Sequence, residues 1–434
     1  MNNPSTNEES LKRVIGVRTL ALNTVNLTIG AGIFALPAVV AAEIGAAAFL
    51  AYLVCTGLLA LVLLCFVEVG TKIPTSGGAY AYIEEAFGPL AGFLANSLFW
   101  LGFTALANAA VANVMATNLA VFYPAFQDPT YRALLYVVIF VGLAALNIRG
   151  SKESSIFINT VTLLKLIPLI VLIVFGFAHM DGKNLAIERL PTIQNLGEAS
   201  LLLFFAFGGG AEATLSAAGE IKRPTYTIPR GLLFGVSIVF LFYVSLQIVS
   251  QGVLGNSLAE QDGTPLSAVA STIFGSEGLV LMTIAATISC FGLISGDMFV
   301  SSRVPYAAAR DGLLPSFLAK IHPKFSTPYF SIILYASVSF LYAISGGFKQ
   351  LAILSSASIL LIYVGVIAAT IKLRSRKVEG AYTNRGGLII PVLALLATGW
   401  FLSNLALQEI VAVIIFLAFF TIVYFVMKSF QKKQ

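Results

Sequence analysis

The sequence predicts an all-α polytopic membrane protein with twelve transmembrane helices. Three observations predict it. Hydrophobic residues make up 58% of the 434 positions and charged residues only 11%, where globular chains carry about 25% charged. Apolar runs of about 20 residues, the length that crosses a bilayer, recur along the whole chain. The 26 Lys and Arg residues are also unevenly placed. With the N-terminus on the cytoplasmic side, only Arg132, Lys183, Arg189 and Lys349 fall in outer connections. Cytoplasmic connections of membrane proteins carry such an excess, so both termini are expected inside.

The twelve segments are read at 16–42, 46–69, 88–122, 132–148, 156–178, 197–219, 230–251, 266–302, 328–345, 350–371, 387–405 and 409–428. Segments three and eight exceed what a bilayer needs, so tilt or overhang is expected. Residues 1–15 form a polar tail, acidic at Glu8 and Glu9, without the pattern of a cleaved signal peptide. Residues 429–434 form a second tail. No stretch reads as a separate hydrophilic domain. Cys55, Cys65 and Cys290 lie in apolar segments and read as buried thiols. His179 and His322 have no neighbours suited to a metal, and no cofactor is implied. The net charge of +6 is topological, so no nucleic-acid partner is expected. KLRSRK, Lys372 to Lys377, is the densest basic cluster and reads the same way.

Two segments are weak in their middles. The first contains TIGAGIFALP, Thr28 to Pro37, and the sixth contains FFAFGGGAEATLSAAGE. Gly30, Gly32 and the run Gly208, Gly209, Gly210 can leave helical dihedrals and have no Cβ to block a ligand. Lipid cannot satisfy freed backbone groups, so a broken helix survives only around a protein-lined cavity. Taken singly, either motif is equally a close-packing motif. Five segments separate them, and interrupted helices at matching places in two halves mark the substrate site of repeat-built transporters. Segments one to five (16–178) and six to ten (197–371) would then be an inverted repeat, with 387–428 outside it. A broken helix offers N–H groups that suit a carboxylate and carbonyls that suit an ammonium group. Two such breaks can hold the backbone of many amino acids.

These residues resemble the amino acid–polyamine–organocation superfamily. TIGAGIFALP is similar to its first-helix motif. EVGTKIPTSGGAYAYIEEAFGPLAGFLANSLFW (Glu68 to Trp100) resembles its loop between helices two and three. FAFGGGAE followed by GEIKRPTYTIPR resembles helix six and its inner loop, and SSRVPYAAARDGLLP (Ser301 to Pro315) the end of helix eight. The resemblance implies a five-plus-five inverted-repeat transporter fold, alternating access, and transport of amino acids or amines in a cell membrane. It implies that Ile29, Gly30, Ala31, Gly32 and Ile33 form the first unwound segment, and Phe207, Gly208, Gly209 and Gly210 the second. It also implies an aromatic that closes over the substrate: Phe207 matches best, and Phe205 competes in register. Some mammalian relatives carry a subunit through an extracellular cysteine. No cysteine here lies in a loop, so no disulfide-linked subunit is expected.

Lys165 sits about ten residues into segment five, where an ammonium must find partners. The resemblance implies that it stands where sodium-coupled relatives bind a cation, bridging carbonyls near Gly30 and the inner half of segment eight. Sodium-independent exchange or proton-coupled symport is then expected, with Lys165 able to release and regain a proton. Ser289 and Ser295 can supply oxygens nearby. Glu212, two residues after the glycines, is a coupling candidate or a hydrogen-bonded structural carboxylate. Asp297 departs from the family pattern; it either contacts a cationic group or caps a network. Glu43 and Glu68 read as interfacial. Asn108 and Asn113 can line a side-chain pocket. Small or neutral amino acids are favoured as substrates, with cationic amino acids and polyamines left open by Asp297 and Glu212. Four scattered acids do not form the continuous polar path of a channel. No cluster suits an enzyme. Ala31 is less polar than the serine common between these glycines, which leaves carboxylate binding to backbone amides.

Overall fold

The computed structural model describes residues 15–30, 32–73, 78–149, 151–215, 221–261, 263–310, 314–376, 378 and 381–431, without the side chains of 151–164, 430 and 431. Its described elements are helices, joined by one isolated parallel bridge between Ile15 and Ile221. Segment one is two helices, α1 (Val17–Thr28) and α2 (Gly32–Ile44). Segment two is α3 (Ala48–Lys72). The connection that follows holds α4 (Ala79–Phe87), and segment three is α5 (Pro89–Ser97) continued through a wide π-helical stretch, Leu98–Ala105, into α6 (Leu106–Ala120). Segments four and five are α7 (Pro129–Arg149) and α8 (Ser151–His179). Segment six is again two helices, α9 (Ile193–Phe207) and α10 (Gly210–Ala213). Then come α11 (Pro224–Leu254), α12 (Pro265–Ser301), α13 (Arg303–Arg310), α14 (Tyr329–Ser345), α15 (Phe348–Lys372), α16 (Ile389–Leu402) and α17 (Leu407–Gln431).

Each of the twelve apolar segments therefore contains helix among the described residues. Among the described residues, seven helical stretches are long and apolar enough to cross a membrane, and Lys165–His179, Tyr329–Ser345 and Ile389–Leu402 are shorter apolar helices. The excess length of segment eight has a local cause. Gly275 takes φ 71° and ψ −153°, which kinks α12 and sets its first turns apart from the long run after it. The sharp turn between α4 and α5 similarly rests on Gly88 at φ 88°.

The interior is built on small residues. Ala107, Ala109, Ala110, Ala112 and Ala116 of α6 are all buried. Lipid tails are as apolar as leucine, so helices associate through close van der Waals contact, which small side chains permit. Large apolar side chains face outward instead: Val138, Leu233, Leu341, Leu396 and Ile415 are all exposed. Almost none of the apolar length of α17 is fully buried, which sets it at the edge of the bundle. At the centre, α1 packs on α11 and α10, α2 on α9, and α12 on α8 and α6; α15 closes the group against α6, α9 and α3.

Glu68 departs from the interfacial reading. Its carboxylate is fully buried. Oε2 accepts the Asn384 amide N–H at 3.1 Å, and Oε1 lies 3.7 Å from Arg374 Nε and 3.8 Å from Lys72 Nζ. Lys72 also donates to the carbonyls of Leu373 and Arg374, and Arg374 to those of Asn384 and Gly387. Here the connection between α15 and α16 folds back over the end of α3, and Glu68 is the acceptor at its centre. Burial without such partners would be prohibitive.

Candidate functional site

Both weak points are real breaks. α1 stops at Thr28, and Ile29 takes φ −74° and ψ 88°, outside the helical region. Ala31 lies outside the described residues, and α2 begins at Gly32. α9 stops at Phe207; Gly208 is extended and Gly209 left-handed at φ 86° before α10 begins. The two breaks touch. A Cβ on Gly210 would fall 2.5 Å from Thr28 Oγ1 and 2.8 Å from its amide nitrogen, and one on Gly32 would fall 3.0 Å from Ala206 Cβ. The end of each first half thus meets the start of the other's second half, so the interrupted helices cross antiparallel. Glycine is required here because any side chain would hold the backbones apart.

The freed backbone groups are partly taken. Lys165 Nζ, on α8, donates to the carbonyls of Asn26, at 3.1 Å, and Ile29. Both acceptors belong to the first break, and among the described residues no hydrogen bond carries the expected bridge on to α12. The Tyr243 hydroxyl, on α11, lies 2.9 Å from the Thr28 carbonyl and 3.2 Å from that of Ala206, between the two breaks. At the second break the Gly209 N–H donates to Glu212 Oε1 at 2.7 Å, and the Tyr363 hydroxyl of α15 donates to the same oxygen. Glu212 is buried, and its Oε2 has no partner among the described residues. Helix geometry leaves the amides of Gly32 and Ile33 without intrahelical acceptors. Two N–H donors at the first break and one unengaged carboxylate oxygen at the second therefore flank the crossing.

The crossing lines a cavity of about 780 Å³. Gly30, Gly32, Phe205, Gly208, Gly209, Gly210, Lys165, Glu212, Ser289 and Asp297 all contribute to its wall. It extends to exposed Pro89 and Lys428 at one end of the bundle. The other end is sealed. Phe205 packs edge-on against Phe348, with ring centroids 5.7 Å apart, and adjacent Lys349 pairs with Glu43 at the end of α2.

Several expected residues sit elsewhere. Phe207 does not line the cavity; its ring is fully buried between Tyr243 and Tyr52, with centroids at 5.0 and 6.2 Å. Phe205 is the aromatic that faces the cavity. Ile29 and Ile33 contribute backbone, their side chains being buried in the core. Ser295 is buried off the cavity wall. Asn108 and Asn113 are structural: Asn108 donates to the Tyr335 hydroxyl, and Asn113 to carbonyls of Ala109, Ala343 and Gly346. Asp297 makes no ion pair with Arg303, whose guanidinium lies 3.6 Å over the Phe299 ring.

Residues 15–433 match the family described as amino acid permease. The chain belongs to that family. The permease is 26% identical over 438 residues to the branched-chain amino acid permease BcaP of Bacillus subtilis, covering 96% of this chain and 93% of the relative. It is 27% identical over 420 residues to the serine/threonine exchanger SteT of the same organism, covering 93% of both. It is 28% identical over 408 residues to the large neutral amino acids transporter small subunit 2 of Homo sapiens, covering 89% of this chain and 74% of the relative. The permease is an integral membrane protein of the amino acid–polyamine–organocation superfamily, and its relatives are transporters rather than enzymes.

Three rings of the permease site carry no signal in the sequence. Tyr243 and Tyr363 sit in apolar runs, where nothing but the need of a buried hydroxyl for a partner singles them out. Phe103 lies in the π-helical stretch, and its ring covers Gly209. A Cβ at position 209 would fall 2.0 Å from Phe103 Cζ. Gly209→Ala therefore combines a left-handed backbone, about 1–2 kcal/mol for a residue with a Cβ, with displacement of a packed ring. It is expected to abolish uptake and lower the thermal midpoint in detergent. Gly30→Ala is expected to be milder, because its nearest neighbour is the flexible Leu293 tip at 3.0 Å.

Proposed function

We propose that the permease carries amino acids across the cell membrane by alternating access, without sodium, as a proton-coupled symporter or an exchanger. The observation that supports this reading best is the antiparallel crossing of two broken helices at the head of a cavity sealed on one side. Twelve membrane crossings, a five-plus-five inverted repeat over 16–178 and 197–371, and cytoplasmic termini complete the proposal. The open end of the cavity then faces the cytoplasm, in keeping with the basic residues near it.

In this reading the substrate carboxylate binds the amides of Gly32 and Ile33 at the positive end of α2. The ammonium group binds carbonyls at the end of α9. Phe205 covers the bound molecule on the sealed side. Lys165 occupies the position of a metal cation, and Glu212 exchanges a proton during the cycle. The named substrates of the relatives, branched-chain amino acids for one and serine and threonine for another, support amino acids as the first candidate cargoes.

The test is uptake of labelled amino acids by proteoliposomes, with unlabelled competitors, with and without sodium, and with and without a pH gradient. Saturable uptake indifferent to sodium is the expected result. Counterflow separates exchange from net uptake. Ion conductance without substrate saturation would defeat the carrier reading in favour of a channel.

A further inference from the structure

Asp297 stands apart from Lys165, Glu212 and Arg303, three other charges that line the cavity. Lys165 is bound to two carbonyls, Glu212 holds Gly209 and Tyr363, and Arg303 is stacked on Phe299. The Asp297 carboxylate is half-buried and lines the cavity, yet no hydrogen bond or ion pair engages it among the described residues. An acid at membrane depth is costly and normally has a partner. Its surroundings are polar in an ordered way. The Tyr335 hydroxyl beside it accepts from Asn108 Nδ2 at 3.2 Å. Thr104, Ala107, Gly296, Asp297, Val300 and Ser301, from the π-helical stretch, α6 and α12, all line the cavity. None of these hydroxyls neutralises the carboxylate.

The distance along α12 matters. Leu293 is the residue of α12 that touches Gly30 at the first break. Asp297 follows it by four positions, so it lies on the same face about 6 Å closer to the open end. A substrate whose backbone is held at the breaks would reach Asp297 only with a side chain of several atoms. The side chain that satisfies a lone carboxylate at that reach ends in an ammonium or guanidinium group.

We propose that Asp297 is the specificity-determining residue of the permease and selects amino acids with a cationic side chain, its carboxylate pairing with the terminal ammonium or guanidinium group. This rests on the reading of the breaks as the backbone site. It departs from the small or neutral substrates that the lack of an aromatic cation cage in the sequence favours, because the decisive feature is an unpaired carboxylate on the cavity wall of α12.

The experiment uses the full chain in proteoliposomes with labelled lysine, arginine, leucine and serine, and a diamine as an additional competitor. Wild type is expected to take up lysine or arginine at least tenfold faster than leucine or serine. Asp297→Asn is expected to lower that ratio at least tenfold, and Asp297→Glu to restore part of it. The ratio is insensitive to how much protein folds. Stabilisation of detergent-solubilised wild type by lysine or arginine, read as a rise in thermal midpoint, gives the same answer without the variants. Preference for the diamine over both cationic amino acids would overturn the α-amino acid assignment. Uptake of leucine or serine in preference to lysine by wild type would overturn the proposal while leaving the permease reading intact. No saturable uptake of any of them would defeat both.

Discussion

Lys165→Ala is expected to reduce uptake at least tenfold in sodium-free medium and to make the remainder respond to sodium. The ammonium group bonds the Asn26 and Ile29 carbonyls where α1 ends. Removing it leaves two buried acceptors unsatisfied, at about 1–3 kcal/mol each. A tenfold change in a rate or an equilibrium corresponds to about 1.4 kcal/mol, so the loss of the two bonds together suffices. The vacated carbonyls form a site of hard oxygen ligands, which a small monovalent cation can partly refill. The measurement is initial uptake by wild type and variant in sodium and in choline. A Lys165→Ala variant equally active in both, or one as fast as wild type, would overturn the ion-substitute role.

Glu68→Ala is expected to lower the thermal midpoint in detergent by roughly 3–6 °C, the largest stability loss of any single substitution discussed. Removing one member of a buried charge cluster costs about 3–5 kcal/mol, because its partners stay behind uncompensated. Lys72 and Arg374 are those partners, and the Asn384 amide loses its acceptor as well. Glu68→Gln retains an acceptor for Asn384 and is expected to lose less. Unfolding followed by tryptophan fluorescence or by precipitation of the heated protein checks both. A variant with an unchanged midpoint would mean that the connection between α15 and α16 docks without the charge.

The helical segments were legible because lipid imposes length and apolarity on every crossing. The breaks were legible too. A glycine cluster in mid-segment either packs helices closely or interrupts one, and two clusters at matching places in two halves favour interruption. Rotation of each helix about its axis was not legible. That is why Phe205 and Phe207, two residues apart, exchanged places between the cavity and the core. An apolar run has no polar face to mark its orientation, and the asparagines of α6, at 108, 113 and 118, spread around the helix and mark no single face. Glu68 escapes local pattern for a related reason: its position at a segment end suggests water, and its partner Asn384 is more than 300 residues away. Separation along the chain likewise hid Tyr363, whose partner Glu212 lies on another segment. Local pattern identifies a break, and only assembled neighbours show which of its backbone groups remain free.

The two ends of the permease are fastened by different kinds of contact. At one end the Glu68 cluster is buried, beyond the reach of dissolved ions, on the same connection as the exposed pair of Arg376 with Glu85. At the sealed end Glu43 and Lys349 join α2 to α15 in the open, with the lysine side chain 59% exposed. Interactions between exposed charges are screened over about 10 Å at 0.1 M salt, and such pairs contribute about 0–1 kcal/mol. Ionic strength therefore reaches the exposed pairs at both ends, Glu43–Lys349 and Glu85–Arg376, and spares the Glu68 cluster. Salt weakens the exposed pair at either end by about 0–1 kcal/mol, while the buried Glu68 cluster keeps the connection between α15 and α16 docked on α3.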